Sequence, residues 1–271
     1  MTWSAAQFQW VELIKVAARC SSMGNFTDEE IKAMDSKTKI NILKRNPVVV
    51  ARQIDHIFQS VFNKVVMSGL HPIGQIINFD ERGEFQRLTG TKHVHAILHV
   101  KDAPKVDEDS DDKVATFIDK HITCASPDKD KYPELSELVN KVQTHRCTTT
   151  CKKKKGKYCR FDAPWPTTEK TVISRANGDK ESLKKAKATV LKLSTVVIDM
   201  DKDDRGKYSL DQLLRLANVS RDDYEKALKL FRGRANITYK RRPNEMYISP
   251  YNTVIMANLK ANEYNITNSC L

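Results

Sequence analysis

The sequence predicts an α+β fold, an antiparallel sheet covered by helices. Two observations carry this. From Pro47 to Val66, the residues Val50, Ile54, Ile57, Phe58, Phe62, Val65 and Val66 recur at helical spacing and form an apolar stripe. From His93 to Val100 the period changes to two: Val94, Ala96, Leu98 and Val100 share one face, and His93, His95, Ile97 and His99 the other. A long amphipathic helix leading into alternating strands is the α+β layout.

The elements follow in order. Phe8, Val11, Leu13, Ile14 and Ala17 give a first helix over about residues 4–19. Thr27-Asp28-Glu29-Glu30 has the pattern of a capping box opening a short helix. Asn46-Pro47 opens the long helix, with Pro47 tolerated in its first turn, and the stretch from Gly69 to Pro72 ends it. Strands follow over 74–79 and 84–88, then Thr89-Gly90-Thr91 as a tight turn with Gly90 supplying positive φ, then the histidine strand. Residues 102–112 are acidic and read as a surface loop. Short helices are expected over 114–122 and 135–142, a cysteine-rich segment next, and a polar loop over 174–179. Two helices, 210–217 and 222–231, the second capped by Ser220, and strands over 237–240 and 246–248 complete the chain. Two helices followed by a hairpin resemble a winged-helix appendage. The expected division is 1–105 for the sheet-bearing core, 106–170 for the acidic linker and Cys-rich insert, and 171–271 for the helical and hairpin part.

The chemistry concentrates in two places. His93 and His95 project from one strand face, and folding the hairpin brings Glu84 and Gln86 beside them. Two imidazoles with a carboxylate or an amide oxygen suit Mg²⁺ or Mn²⁺. Glu84 and Gln86 both lie on the required face, so the third ligand is open between them. The second place is Cys147, Cys151 and Cys159, with His145 adjacent and Cys124 upstream. A structural zinc site needs four such donors. Cys124, Cys147, Cys151 and Cys159 are the expected set, with His145 as the substitute for one of them. Cys20 and Cys270 have no partner at ligand spacing.

The net charge of +12 and pI near 9.3 suit a polyanionic partner. Two basic runs are candidate phosphate contacts: Lys152, Lys153, Lys154, Lys155 and Lys157 with Arg160, and Lys240, Arg241 and Arg242. Trp3, Trp10 and Trp165 could stack on bases but are expected in the core. No apolar run approaches the roughly 20 residues of a membrane helix. Met1 is followed by Thr-Trp-Ser-Ala-Ala-Gln, without a secretory leader's basic segment and apolar core. An intracellular, reducing setting is expected, where six cysteines serve as free thiols or metal ligands. No Gly-rich Gly-Lys-Ser/Thr phosphate loop is present, so ATP is not expected, nor is a small-molecule substrate.

Several ordered motifs carry a family resemblance. Glu84-Phe85-Gln86-Arg87, the Gly90 turn, His93-Val94-His95-Ala96-Ile97-Leu98 and Lys101-Asp102-Ala103-Pro104-Lys105 resemble the helitron replication-initiator domain. That domain, also called helitron helicase-like, belongs to the HUH endonucleases. Met1-Thr2-Trp3-Ser4-Ala5-Ala6 resembles the end of its first strand, and Arg45-Asn46-Pro47 through Arg52 the start of its long helix. His145-Arg146-Cys147, Cys151, Cys159-Arg160-Phe161 and Pro164-Trp165-Pro166 resemble its cysteine-rich insert. Lys240 to Glu245 and Pro250-Tyr251-Asn252 resemble its later part. The resemblance implies a sheet of HUH/RRM-like type and a nuclear rolling-circle transposon protein that nicks and joins single-stranded DNA. A divalent ion held by His93, His95 and Gln86 or Glu84 would assist attack by a tyrosine hydroxyl, leaving a phosphotyrosine and a free 3′ hydroxyl. In the family that tyrosine follows the stretch resembling Ala261 to Asn265, and a helicase comes after it. Tyr247 and Tyr251 sit beside Pro250 on an expected strand and turn, so they are expected to pack. The expectation is therefore a fragment, lacking sequence at both ends, that binds metal and DNA without catalytic residues of its own. The alternatives are a non-catalytic DNA-binding protein on the same scaffold and a zinc-stapled interaction module.

Overall fold

The computed structural model describes residues 1–5, 7–85, 92–148, 151, 159, 161–175, 178–233, 236–259 and, for the backbone alone, 262–265. The elements in chain order are β1 (Thr2–Ser4), α1 (Val11–Cys20), α2 (Asp28–Ala33), α3 (Ser36–Arg45), α4 (Pro47–Val61), β2 (Ile76–Phe85), β3 (Lys92–Val100), α5 (Asp111–His121) and α6 (Pro133–Leu138). There follow β4 (Val172–Ser174), α7 (Lys180–Asp199), α8 (Leu210–Leu216), α9 (Arg221–Leu230), β5 (Asn236–Thr238), α10 (Thr253–Leu259) and β6 (Asn262–Asn265). They form two compact units, one made of Met1–Lys101 with Asn252–Ile266, the other holding Asp102–Tyr251. Beside the expected three-part division, the insert and the helical part group together, and α10 and β6 group with the first unit.

In the first unit the sheet order is β2-β3-β1-β6, antiparallel throughout, with β2 at one edge. The expected strand over 74–79 and the described start of that over 84–88, Glu84 and Phe85, belong to one ten-residue strand, β2; residues 86–88 lie outside the described residues. Its register on β3 shifts between Ile76 and Asn78 and is regular from Asn78 to Phe85. Helix α4, extended by a π-helical turn over Phe62–Val66, lies on one sheet face. Trp3 stacks on Phe58 at 6.3 Å and meets Phe62 edge-on at 5.5 Å, while Phe62 touches Phe79 at 4.7 Å. Each such pair adds about 0.5–1.5 kcal/mol beyond the area it buries. Val94 and Ala96 are buried on this same face, so the histidines of β3 must point the other way. Trp3 and Trp10 are core residues, as expected. The Thr27–Glu30 capping box forms.

The second unit packs α7, α8 and α9 around Val190, Leu193, Val197, Leu213, Leu214, Tyr224 and Leu228. Helix α7 has no counterpart among the elements expected from sequence; Asp179 caps it by accepting from the backbone N–H groups of Glu181 and Ser182. The expected terminal hairpin does not form. β5 pairs with β4, Val172 opposite Thr238, and residues 246–248 are not a strand. Pro243–Glu245 winds into a 3₁₀ turn closed by Arg242 and Glu245, which redirects the chain before any second strand could start. Among the described residues, no helix is long and apolar enough to cross a membrane.

Candidate metal centres

β3 sits between β2 and β1, and the registers on both sides fix what surrounds its histidines. Glu84 lies opposite His93 and Arg82 opposite His95 on β2; Ser4 lies opposite His93 and Thr2 opposite His95 on β1. Directly opposed residues share a sheet face. The two imidazoles are 4.6 Å apart, ring centre to ring centre, and edge-on to each other. Ser4 Oγ lies 2.7 Å from Nδ1 of His93, and Thr2 Oγ1 lies 3.1 Å from Nδ1 of His95. With both Nδ1 atoms engaged, Nε2 is the donor left on each ring. Glu84 Oε2 stands 3.8 Å from Nε2 of His95. Two metal–ligand bonds of about 2.1 Å can bridge that gap, so one ion fits between carboxylate and imidazole. Glu84, His93 and His95 do not close as a trio to the 4.8 Å that marks the cysteine group described below. Burial, and then the charge of His95, hold the His93 imidazole below its ordinary pKa, with Glu84 pulling the other way. The ring is thus biased toward its neutral, ligating form. Gln86, the alternative third ligand, and the Gly90 turn lie outside the described residues.

The second centre is closed. His145, Cys147, Cys151 and Cys159 present four ligand atoms within 4.8 Å of one another, and among the described residues no other group of three or more His, Cys, Asp or Glu does so. Nε2 of His145 is 3.1 Å from Sγ of Cys159. The Thr148 N–H donates to Cys151 Sγ at 3.3 Å and the Phe161 N–H to Cys159 Sγ at 3.4 Å. Backbone donors to sulfur favour thiolate. Burial opposes this at Cys151, yet Thr148 and the Cys159 and Cys147 thiols leave it below its ordinary pKa. Burial of the thiol in the cluster, reinforced by Cys159 and Cys151, pushes Cys147 up to about 12, although the residue as a whole is exposed. The apolar backing is small: Ala163, with Trp165 and Tyr247 packed on it. Three sulfurs and an imidazole can hold a tetrahedral ion such as zinc.

Cys124 is not a member. Its Sγ accepts from Nη2 of Arg241 at 3.0 Å, and burial pushes its thiol up to about 11. His145 takes the fourth place that spacing had given to Cys124, because the chain folds His145 onto Cys159 and leaves Cys124 beside Arg241. That same contact removes Arg241 from the expected DNA-binding set. Arg241 is 4% exposed; its guanidinium donates to the Ile248 carbonyl at 3.3 and 3.2 Å and lies over the Trp165 ring. Lys240 and Arg242 are exposed, and Arg242 is paired with the buried Glu245 at 3.0 Å. Lys152, Lys153, Lys154, Lys155, Lys157 and Arg160 lie outside the described residues. Tyr251 is buried and donates to the Ala125 carbonyl at 2.7 Å.

The residues that sequence reasoning missed are Thr2 and Ser4. Their signal was an alternation, hydroxyl-aromatic-hydroxyl, around Trp3. No family model, curated protein or solved structure matches the chain.

Proposed function

We propose that this chain is a divalent-metal-dependent, single-stranded-DNA-binding domain of helitron replication-initiator type, its second unit stapled by zinc. One observation carries the reading: two imidazoles on one sheet face, Nδ1 of each engaged by a hydroxyl, with Glu84 3.8 Å from the second ring. His93 and His95 would hold Mg²⁺ or Mn²⁺ through Nε2, with Glu84 or Gln86 completing the protein ligands. A bound ion would polarise a phosphodiester oxygen there. The chain's excess of positive charge and the exposed Lys240 support a polyanionic partner. Tyr251 is buried and Tyr247 packs on the cysteine group, so neither supplies an attacking hydroxyl in this arrangement. The proposal is therefore of binding, and strand cleavage needs a nucleophile other than these two.

Mn²⁺ titration of the wild type and of His93→Ala/His95→Ala tests it. The wild type should bind an ion that the double variant loses, and equal binding would end the metal reading. Fluorescence anisotropy with a labelled single strand at several salt concentrations tests the partner. Affinity should fall steeply with salt. A second reading, a zinc-stapled interaction module without nucleic acid, draws on the withdrawal of Arg241 from the surface and the pairing of Arg242. It predicts no salt-dependent binding at all.

A further inference from the structure

We infer that Thr2 and Ser4 are the positioning residues of the histidine pair, their hydroxyls accepting the Nδ1–H groups of His95 and His93 and holding both rings with the Nε2 lone pair outward. This rests on the metal reading above and deepens it.

β1 is three residues long and antiparallel to β3, with Thr2 opposite His95, Trp3 opposite Val94 and Ser4 opposite His93. Alternation sends Trp3 to the face where it meets Phe58 and Phe62, and sends both hydroxyls to the histidine face. The aromatic anchor between them therefore fixes where the two hydroxyls stand. Thr2 is 4% and Ser4 8% exposed, so the hydroxyl side of each contact is shielded from water, while the His95 side chain, 44% exposed, keeps its outer edge open. A hydrogen bond in such surroundings is stronger than one in water.

The consequence is chemical. A neutral imidazole carries one proton, and only the unprotonated nitrogen can ligate. A hydroxyl accepting from Nδ1–H leaves Nε2 as the lone-pair nitrogen and restrains rotation of the ring. Both histidines receive this from alternate positions of one strand, so the pair is oriented together. Metal-ligating histidines commonly donate their second nitrogen in this way, and losing the acceptor costs about 10–100-fold in metal affinity.

The test uses the whole chain, Mn²⁺ alone as probe, and two readouts. In metal-free protein, long-range ¹H–¹⁵N correlation reports which imidazole nitrogen bears the proton. The wild type should show Nδ1–H at both positions. Thr2→Val should release His95, and Ser4→Ala should release His93, to the Nε2–H form. Mn²⁺ affinity should fall about tenfold for each change. Thr2→Ser and Ser4→Thr, which keep the hydroxyl, should retain tautomer and affinity. A merely structural role would not move the tautomer while leaving the fold intact by circular dichroism. Wild-type tautomer and affinity in Thr2→Val/Ser4→Ala would overturn the inference. So would Nε2–H at both histidines in the wild type, a result that stands even if the variants fail to fold. Wild type that binds no Mn²⁺, while the hydroxyl-free variants still switch tautomer, would sink the metal reading and leave the positioning role upheld.

Discussion

Removing zinc from the cysteine group should destabilise the second unit selectively. The perturbation is a strong chelator, with His145→Ala as its genetic counterpart. The structure sets the scale. Behind the four ligands the buried apolar support is little more than Ala163, with Trp165 and Tyr247 only partly buried. This segment thus has little core of its own, and metal binding free energy becomes folding free energy. At free zinc about a thousandfold above Kd, the linkage contributes about 4 kcal/mol. For a unit of about 150 residues, each kcal/mol moves Tm by about 2–4 °C, so chelation should lower it by roughly 8–16 °C. Differential scanning calorimetry with and without chelator, beside metal analysis of the purified protein, measures both. One zinc per chain is expected, and Cys159→Ser should lower that stoichiometry. Because Cys147 is pushed up to about 12, zinc must displace its proton, so affinity should rise with pH. Calorimetric titration in buffers of different ionisation enthalpy would register that release. A metal-free protein whose Tm ignores both chelator and His145→Ala would refute the reasoning.

Phe58→Ala removes a ring that is 2% exposed and stacked on Trp3, and should cost about 3–5 kcal/mol in urea unfolding of the first unit. The His93 imidazole has its folded pKa held below the unfolded value of about 6.5, so the unfolded chain takes up its proton first as pH falls. Its contribution to stability is present above about pH 6.5 and is lost as pH drops through the lower folded value; Mn²⁺ affinity should decline only as pH falls to that lower folded value, measurable by titration at stepped pH. Lys240→Gln should shallow the salt dependence of single-strand binding by about 0.7 in slope. Arg241→Gln should leave that slope unchanged and instead destabilise the second unit by about 3 kcal/mol, since it strands the Ile248 carbonyl and Cys124. A lowered slope with Arg241→Gln would contradict its burial.

The legible parts of the chain were those where one signal decided the outcome. The stripe from Val50 to Val66 could only be a packed helix, and the alternation from His93 to Val100 could only put its imidazoles on the face away from Val94 and Ala96. Helix α7 was hidden because its apolar face, Ala186, Val190, Leu193 and Val197, is thin and interrupted by lysines. The expected strand at Met246 failed because an alternating trio says nothing about Pro243 and the buried Glu245, which accepts from the Ser126 and Arg242 backbone N–H groups and pins the 3₁₀ turn. Spacing along the chain separated His145 from Cys159 by fourteen positions, and only folding shows them in contact. A buried guanidinium within a basic run reads as surface until its neighbours Cys124 and Ile248 are known.

β2 forms an open margin of its sheet, ten residues long, with Ile77 64% and Phe85 71% exposed. Unpaired amides along such a border invite a second chain to dock as an extra strand. Asp80, Glu81, Arg82 and Glu84 are stationed along it, and mixed charge there makes an added strand bury ions without assured partners. On the proposed metal reading Glu84 would serve two ends at once, so a variant that discards its carboxylate should both loosen an ion and leave the protein stickier to itself.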